Sequence, residues 1–234
     1  MSVTGRPAWT TAQPLLHTRA LTFLDTTVGK KLVMALTGVI LLLFIVVHMA
    51  GNLLIFAGRD ALNAYAAALK RVPELLWPER LVLVVALVFH VLYAVELTII
   101  NWRARPGIAL RRRDIETNYA ARTMIVSGPL ILLYAVYHLM MFTFLTTGPG
   151  YNPTDVYGNV VAAFHVPGIA SIYIIAMLIL GVHLYHGLWS MLHTAGISKP
   201  RYHRWRRIAA PLVAVVITLG YLVIPVSVLS GWLR

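Results

Sequence analysis

Residues 32–51 read LVMALTGVILLLFIVVHMAG, twenty positions without a charge and with a single histidine, His48. A membrane-crossing helix takes about 20 predominantly apolar residues, so this stretch can cross a bilayer by itself. Taken to its apolar limits it covers roughly 31–56, and four more stretches qualify at about 80–102, 122–145, 167–192 and 209–232. The chain has 234 residues, 59% of them hydrophobic and 12% charged, with a mean hydropathy of +0.76. Soluble domains carry about 25% charged residues. The expected fold is an all-α integral membrane bundle of five transmembrane helices, with residues 1–20 as a tail and 21–234 as one membrane domain.

A net charge of +12 invites a nucleic-acid reading, but the positions of the basic residues argue against it. The tail to Lys31, the loop 103–122 and the loop 193–208 hold fifteen of the twenty Lys and Arg. That asymmetry follows the positive-inside rule. It places the N-terminus in the cytoplasm and the C-terminus outside. The basic loops are then available to anionic lipid or to an acidic partner surface. The first apolar segment starts about 30 residues into the chain and lacks a small-residue cleavage site, so it is not read as a removable signal peptide.

There are no cysteines, which removes disulfides, thiolate-held iron–sulfur clusters and covalent haem attachment through this chain. No strand pattern carries a Gly-rich dinucleotide fingerprint. Among the connections, Leu62, Tyr65, Ala66 and Leu69 fall at spacings of three and four, which predicts a short amphipathic helix within 57–78, and a second short helix is expected around Val160 to His165. No internal repeat stands out.

Four of the apolar segments each carry a histidine in their interior: His48, His90, His138 and His183. A polar ring in hydrocarbon is costly and marks function by default. The first and third segments run outward, and His48 and His138 lie some 16 to 17 residues into them, toward the outer face. The second and fourth run inward, leaving His90 and His183 as an inner pair. Two facing imidazoles are the axial ligands that a six-coordinate haem iron needs, so the chain reads as a membrane cytochrome b with two haem b groups. His186, three residues after His183, falls on a neighbouring helix face and stands as an alternative ligand or a hydrogen-bonding neighbour. Competing readings are a helix-to-helix hydrogen-bonding role for each histidine, a haem-free anchor or carrier, and a membrane metal enzyme.

Several motifs carry a family resemblance. Gly29-Lys30-Lys31 with Met34-Ala35-Leu36-Thr37-Gly38, His48-Met49 with Gly51-Asn52-Leu53, Leu62-Asn63-Ala64-Tyr65, and Gly187-Leu188-Trp189-Ser190 after His183 resemble the five-helix, di-haem cytochrome b subunit of succinate:quinone oxidoreductases, the succinate dehydrogenase and fumarate reductase family. The resemblance spans roughly residues 20 to 232. It implies that His48 and His138 hold the distal haem and His90 and His183 the proximal one, and it favours His183 over His186. It further implies a prokaryotic cytoplasmic membrane, a flavoprotein with covalently held FAD and an iron–sulfur subunit docked on the cytoplasmic face, and a quinone, preferably menaquinone. A higher oligomer of the complex is compatible with it. The cytochrome b subunit of a hydrogenase or formate dehydrogenase is the alternative within redox complexes.

Other positions carry weaker expectations. Gly38 lies ten residues before His48, where a missing side chain admits a porphyrin or another helix. Lys30, Lys31, Arg122, Ser190 and His193 lie near cytoplasmic helix ends and are candidates for haem propionates, with lipid phosphate or solvent as the competing partner. Glu96 is the one carboxylate well inside a segment, a candidate proton relay to quinone, or else a residue close enough to the interface to be solvated or paired with Arg103 or Arg105. Glu74 and Glu79 are outer candidates. Some members of the resembled family use an acid at a quinol site in this connection, where Lys70 stands here. Other members place a glutamate two residues before the fourth histidine, where this chain has Gly181, so that proton relay is not expected.

Overall fold

The computed structural model describes residues 23–104, 119–149, 152–194, 196 and 203–234, apart from the side chains of 119–122 and 203. The tail 1–20, most of the loop 103–122 with the Arg122 side chain, and part of the loop 193–208 lie outside the described residues. Seven α-helices follow in order: α1 Thr27–Asn52, α2 Arg59–Lys70, α3 Pro73–Arg103, α4 Tyr119–Phe142, α5 Val156–Phe164, α6 Pro167–Thr194 and α7 His203–Leu229. Among the described residues there is no strand, and α1, α3, α4, α6 and α7 are long and apolar enough to cross a membrane. The chain is an all-helical, multi-pass membrane protein. In hydrocarbon a helix is the single-segment solution, because it satisfies its own backbone polar groups.

The helix ends follow local chemistry more closely than apolar limits do. Thr26 caps α1 by accepting a hydrogen bond from Gly29 N at 3.0 Å, so the helix starts ahead of residue 31. α3 begins at Pro73, well before residue 80, because proline at the first helical position loses no hydrogen bond. Pro78 then sits within the helix near this end. α4 stops at Phe142, and Leu145 takes a left-handed conformation with φ 55° just beyond it. Gly58, at φ 100°, supplies the sharp turn that lets α2 fold back.

The architecture is two long–short–long halves and a closing helix. α1 packs on α3, α4 packs on α6, and α7 lies along α6, whereas α1 with α4 and α3 with α6 make little backbone contact. The short helices α2 and α5 meet at one end, which we call the capped end; the ends of α1, α4 and α7 reach it. There the largest core forms, from Ile55, Leu62, Met141, Phe164, Tyr173 and Val228 among others.

Polar contacts fasten the cap. The Asp155 carboxylate accepts from Asn63 Nδ2 at 2.8 Å and from Gly158 N at 3.0 Å, capping α5, and pairs with the Arg59 guanidinium. Asn63 Oδ1 accepts from Tyr157 N at 3.0 Å, and Lys70 Nζ donates to the Pro153 carbonyl at 2.9 Å. The Asn63 hydrogen bond first, then the Gly158 amide and the Arg59 charge, hold the Asp155 carboxyl below the ordinary carboxylate range. A depressed acid stabilises the fold fully above its unfolded value near 3.8 and loses that contribution as pH falls through the lower folded value. Asp155→Ala is expected to cost about 1 kcal/mol and to expose 156–164 to proteolysis at neutral pH. The wild-type cap should loosen in the same way only below about pH 4, as limited proteolysis across pH would show.

Candidate functional site

Four of the five crossing helices each place one histidine toward the space between the halves. The His48 and His138 rings face each other with centroids 5.8 Å apart, and those of His90 and His183 lie 6.5 Å apart. The first pair sits four residues from the ends of α1 and α4, close under the cap. The second lies deeper. His90 is level with Gly38 of α1 and His183 with Gly128 of α4, each glycine ten residues before the other pair's histidine on its helix. Ten residues of helix span about 15 Å, which is the axial distance between the two pairs.

The spacing suits one metal ion between each pair. Two metal–nitrogen bonds of about 2.0–2.1 Å, plus about 1.1 Å from each nitrogen to its ring centre, place imidazole centroids about 6.3 Å apart. Among the described residues no three His, Cys, Asp or Glu side chains gather as they would around a bare ion. Two protein ligands suffice only where a macrocycle supplies the others, as it does for haem iron. α1 with α4 and α3 with α6 make little backbone contact, so between the helices that carry each pair it is the imidazoles that meet.

Each pair has its own surroundings. Near the cap, Phe44 stacks on His48 at 5.2 Å, and Phe142, Tyr134 and Tyr173 lie 5.5, 5.9 and 6.0 Å from His138. The Tyr173 hydroxyl is 3.4 Å from His138 Nδ1, and Tyr221, 6.3 Å from His48, donates to the Ile45 carbonyl at 2.7 Å. Around the deeper pair the partners are small. His90 Nδ1 lies 3.3 Å from Thr37 Oγ1 and 3.2 Å from the Met34 carbonyl, and His183 Nδ1 lies 3.1 Å from Ser127 Oγ. A Cβ on Gly38 would stand 3.4 Å from His90 Cε1, and one on Gly128 would stand 3.9 Å from His183 Cε1. Gly38 thus admits the His90 ring against α1. His186 sits near His183 along α6, with Nδ1 buried and without a hydrogen-bond partner among the described residues.

The remaining candidates are dispersed. Lys30, 8% exposed, donates to Glu96, so the carboxylate expected as a proton relay, or else as solvated or paired with Arg103 or Arg105, has a partner across α1 and α3. Glu96 also borders a shallow groove of about 380 Å³ along α3, with Phe89, Tyr93 and Ile99. Lys31 and His193 are exposed, and Ser190 uses its carbonyl to accept from Thr194 Oγ1. Glu74 is exposed and Glu79 half-buried near the start of α3, both without a hydrogen bond among the described residues. Gly181 lies directly against Thr218 of α7, so this position has no space for a longer side chain.

Thr37, Ser127, Gly128, Tyr134 and Tyr173 were not singled out from the sequence, yet a signal was present. Thr37-Gly38, Phe44 and His48 recur at the same spacing as Ser127-Gly128, Tyr134 and His138. The chain does contain a repeat, and it spans the corresponding helices of the two halves.

The Lys30–Glu96 pair is lopsided, since the lysine side chain is 11% exposed and the carboxylate 47%. Glu96→Ala, which strands a buried ammonium, is expected to cost about 1–3 kcal/mol. Lys30→Met leaves a carboxylate that can turn to solvent and should cost clearly less; thermal melts in one detergent would rank the two. The chain shows no significant match to family models, to curated proteins or to solved structures.

Proposed function

We propose that this chain is the di-haem cytochrome b membrane anchor of a succinate:quinone oxidoreductase, acting in electron transfer between an iron–sulfur subunit and membrane quinone. The observation that carries this reading is that four imidazoles from four crossing helices face each other in two pairs, at centroid separations of 5.8 and 6.5 Å. His48 and His138 are the ligands under the cap, and His90 and His183 the ligands nearer the basic end. When bound, haem supplies reversible one-electron transfer, and two levels about 15 Å apart along the helices give that transfer a direction across the bilayer.

The chain's own residues do the rest. Phe44, Tyr134, Phe142 and Tyr173 surround the capped pair with rings and keep water from it. The short helices α2 and α5 close that end. The opposite end receives most of the Lys and Arg, and by the positive-inside rule it is the cytoplasmic one. On this reading the flavoprotein with covalent FAD and the iron–sulfur subunit dock there, in a prokaryotic cytoplasmic membrane. The motif resemblance makes menaquinone the preferred quinone, and Glu96, beside its groove on α3, is the candidate proton donor on the cytoplasmic side.

The test is a reduced-minus-oxidised spectrum of the complex purified through this chain, with haem quantified per copy. Two low-spin b haems per chain are expected, with His48→Leu or His138→Leu removing one component and His90→Leu or His183→Leu the other. A folded complex without haem overturns the reading. Co-purification of a flavoprotein that oxidises succinate or reduces fumarate separates it from a hydrogenase or formate dehydrogenase anchor.

A further inference from the structure

Thr37-Gly38 and Ser127-Gly128 do not serve the histidine of their own helix. Thr37 of α1 reaches His90 of α3, and Ser127 of α4 reaches His183 of α6. Each half of the bundle therefore contributes one capped-end ligand, one deeper ligand and a hydroxyl for the deeper ligand. The repeat in sequence and the repeat in space coincide.

The direction of these hydrogen bonds follows from proton counting. A hydroxyl has one proton. That of Thr37 points back to the Val33 and Met34 carbonyls, at 2.9 and 3.1 Å, and that of Ser127 to the Met124 carbonyl at 3.3 Å. Toward the imidazole the Thr37 oxygen is then an acceptor, and the Ser127 oxygen, 3.1 Å from His183 Nδ1, is placed to accept in the same way. The Met34 carbonyl, also on His90 Nδ1, can only accept. A neutral imidazole has a single N–H, so His90 carries it on Nδ1 and keeps its lone pair on Nε2, and the repeat between the halves gives His183 the same arrangement.

We propose that Thr37 and Ser127 are a matched pair of positioning residues that accept the Nδ1 proton of His90 and His183, fixing the ligating tautomer and raising the electron donation of both deeper ligands. The proposal rests on the haem reading above. An acceptor on the far nitrogen makes a ligating imidazole more basic. A more basic ligand stabilises ferric over ferrous iron and lowers the midpoint potential. Removing the hydroxyl should therefore raise it. The effect should be larger at Ser127, because His183 Nδ1 has no second partner among the described residues, whereas His90 keeps the Met34 carbonyl.

The experiment is a redox titration of the purified complex, followed optically and by electron paramagnetic resonance. It compares wild type with Ser127→Ala, Thr37→Val and the hydroxyl-keeping Ser127→Thr and Thr37→Ser. The component belonging to the deeper pair is the one lost in His183→Leu. Expected are an upward shift of that component in Ser127→Ala, a smaller one in Thr37→Val, no shift of the other component, and wild-type values in the hydroxyl-keeping variants. Unchanged potentials in both hydroxyl-free variants overturn the proposal. So does an equal change in Ser127→Thr and Ser127→Ala, including loss of the component from both. If Ser127→Ala alone loses it and Ser127→Thr keeps it at the wild-type potential, the hydroxyl is required and the proposal stands. A wild-type complex without haem overturns the function itself.

Discussion

Hydrocarbon offers no hydrogen bond, so every polar atom between the two ends of this bundle must find its partner within the protein. Most do so locally. Thr98 and Thr218 return their protons to carbonyls one turn back, on Ala94 and Ala214, and Tyr221 reaches the Ile45 carbonyl of a neighbouring helix. An imidazole cannot be satisfied that simply, because one nitrogen donates while the other accepts. With the N–H on Nδ1, as proposed above, the donors of His90 and His183 are matched by Thr37, Met34 and Ser127. What remains on each ring is an acceptor, and two acceptors brought together have nothing to exchange. A metal ion is the kind of partner that both can bind at once.

The packing is arranged around that demand. At the capped end, α2 and α5 close over a continuous core, tied together by Asn63, Arg59 and Asp155. Deeper, the core shrinks to a small cluster around Leu184, Ala214 and Ile217, where α6 meets α7. The first half of the chain presents most of its apolar surface outward, with Leu81, Val85, Phe89 and Leu92 of α3 exposed. In lipid such exposure carries no hydrophobic penalty, and helix association depends on close contact and polar partners instead. Gly38 and Gly128 provide the first, and Thr37 and Ser127 the second.

The crossing helices were legible because unbroken apolar length is a one-dimensional signal, and their four histidines were conspicuous within it. Helix termini were less so. Thr26, Pro73 and Leu145 set them through a cap, a first-turn proline and a left-handed residue, which hydropathy does not register. Asp155 likewise advances α5 to Val156, ahead of the expected Val160. The pairing of Glu96 with Lys30 was invisible, since it depends on how α1 and α3 are rotated against each other. The repeat of Thr37-Gly38 in Ser127-Gly128 was readable in principle. Threonine and glycine in a membrane helix are ordinary, however, and only the neighbouring histidine on another helix gives the spacing a meaning.

Because each half supplies one histidine to each level, neither histidine pair can form within one half. The space that would take a cofactor is therefore also the interface between the halves. α1 meets the second half mainly through α6, and the closing helix α7 besides, while α3 hardly meets either. A group held by His90 and His183 would thus contribute much of what holds α3 to the rest of the bundle, while the capped pair has the shared core beside it. Anything that binds the assembled state and not the separated one stabilises assembly. The two levels would then differ in kind: the capped level has protein packing of its own, whereas the deeper level would be completed by what it binds.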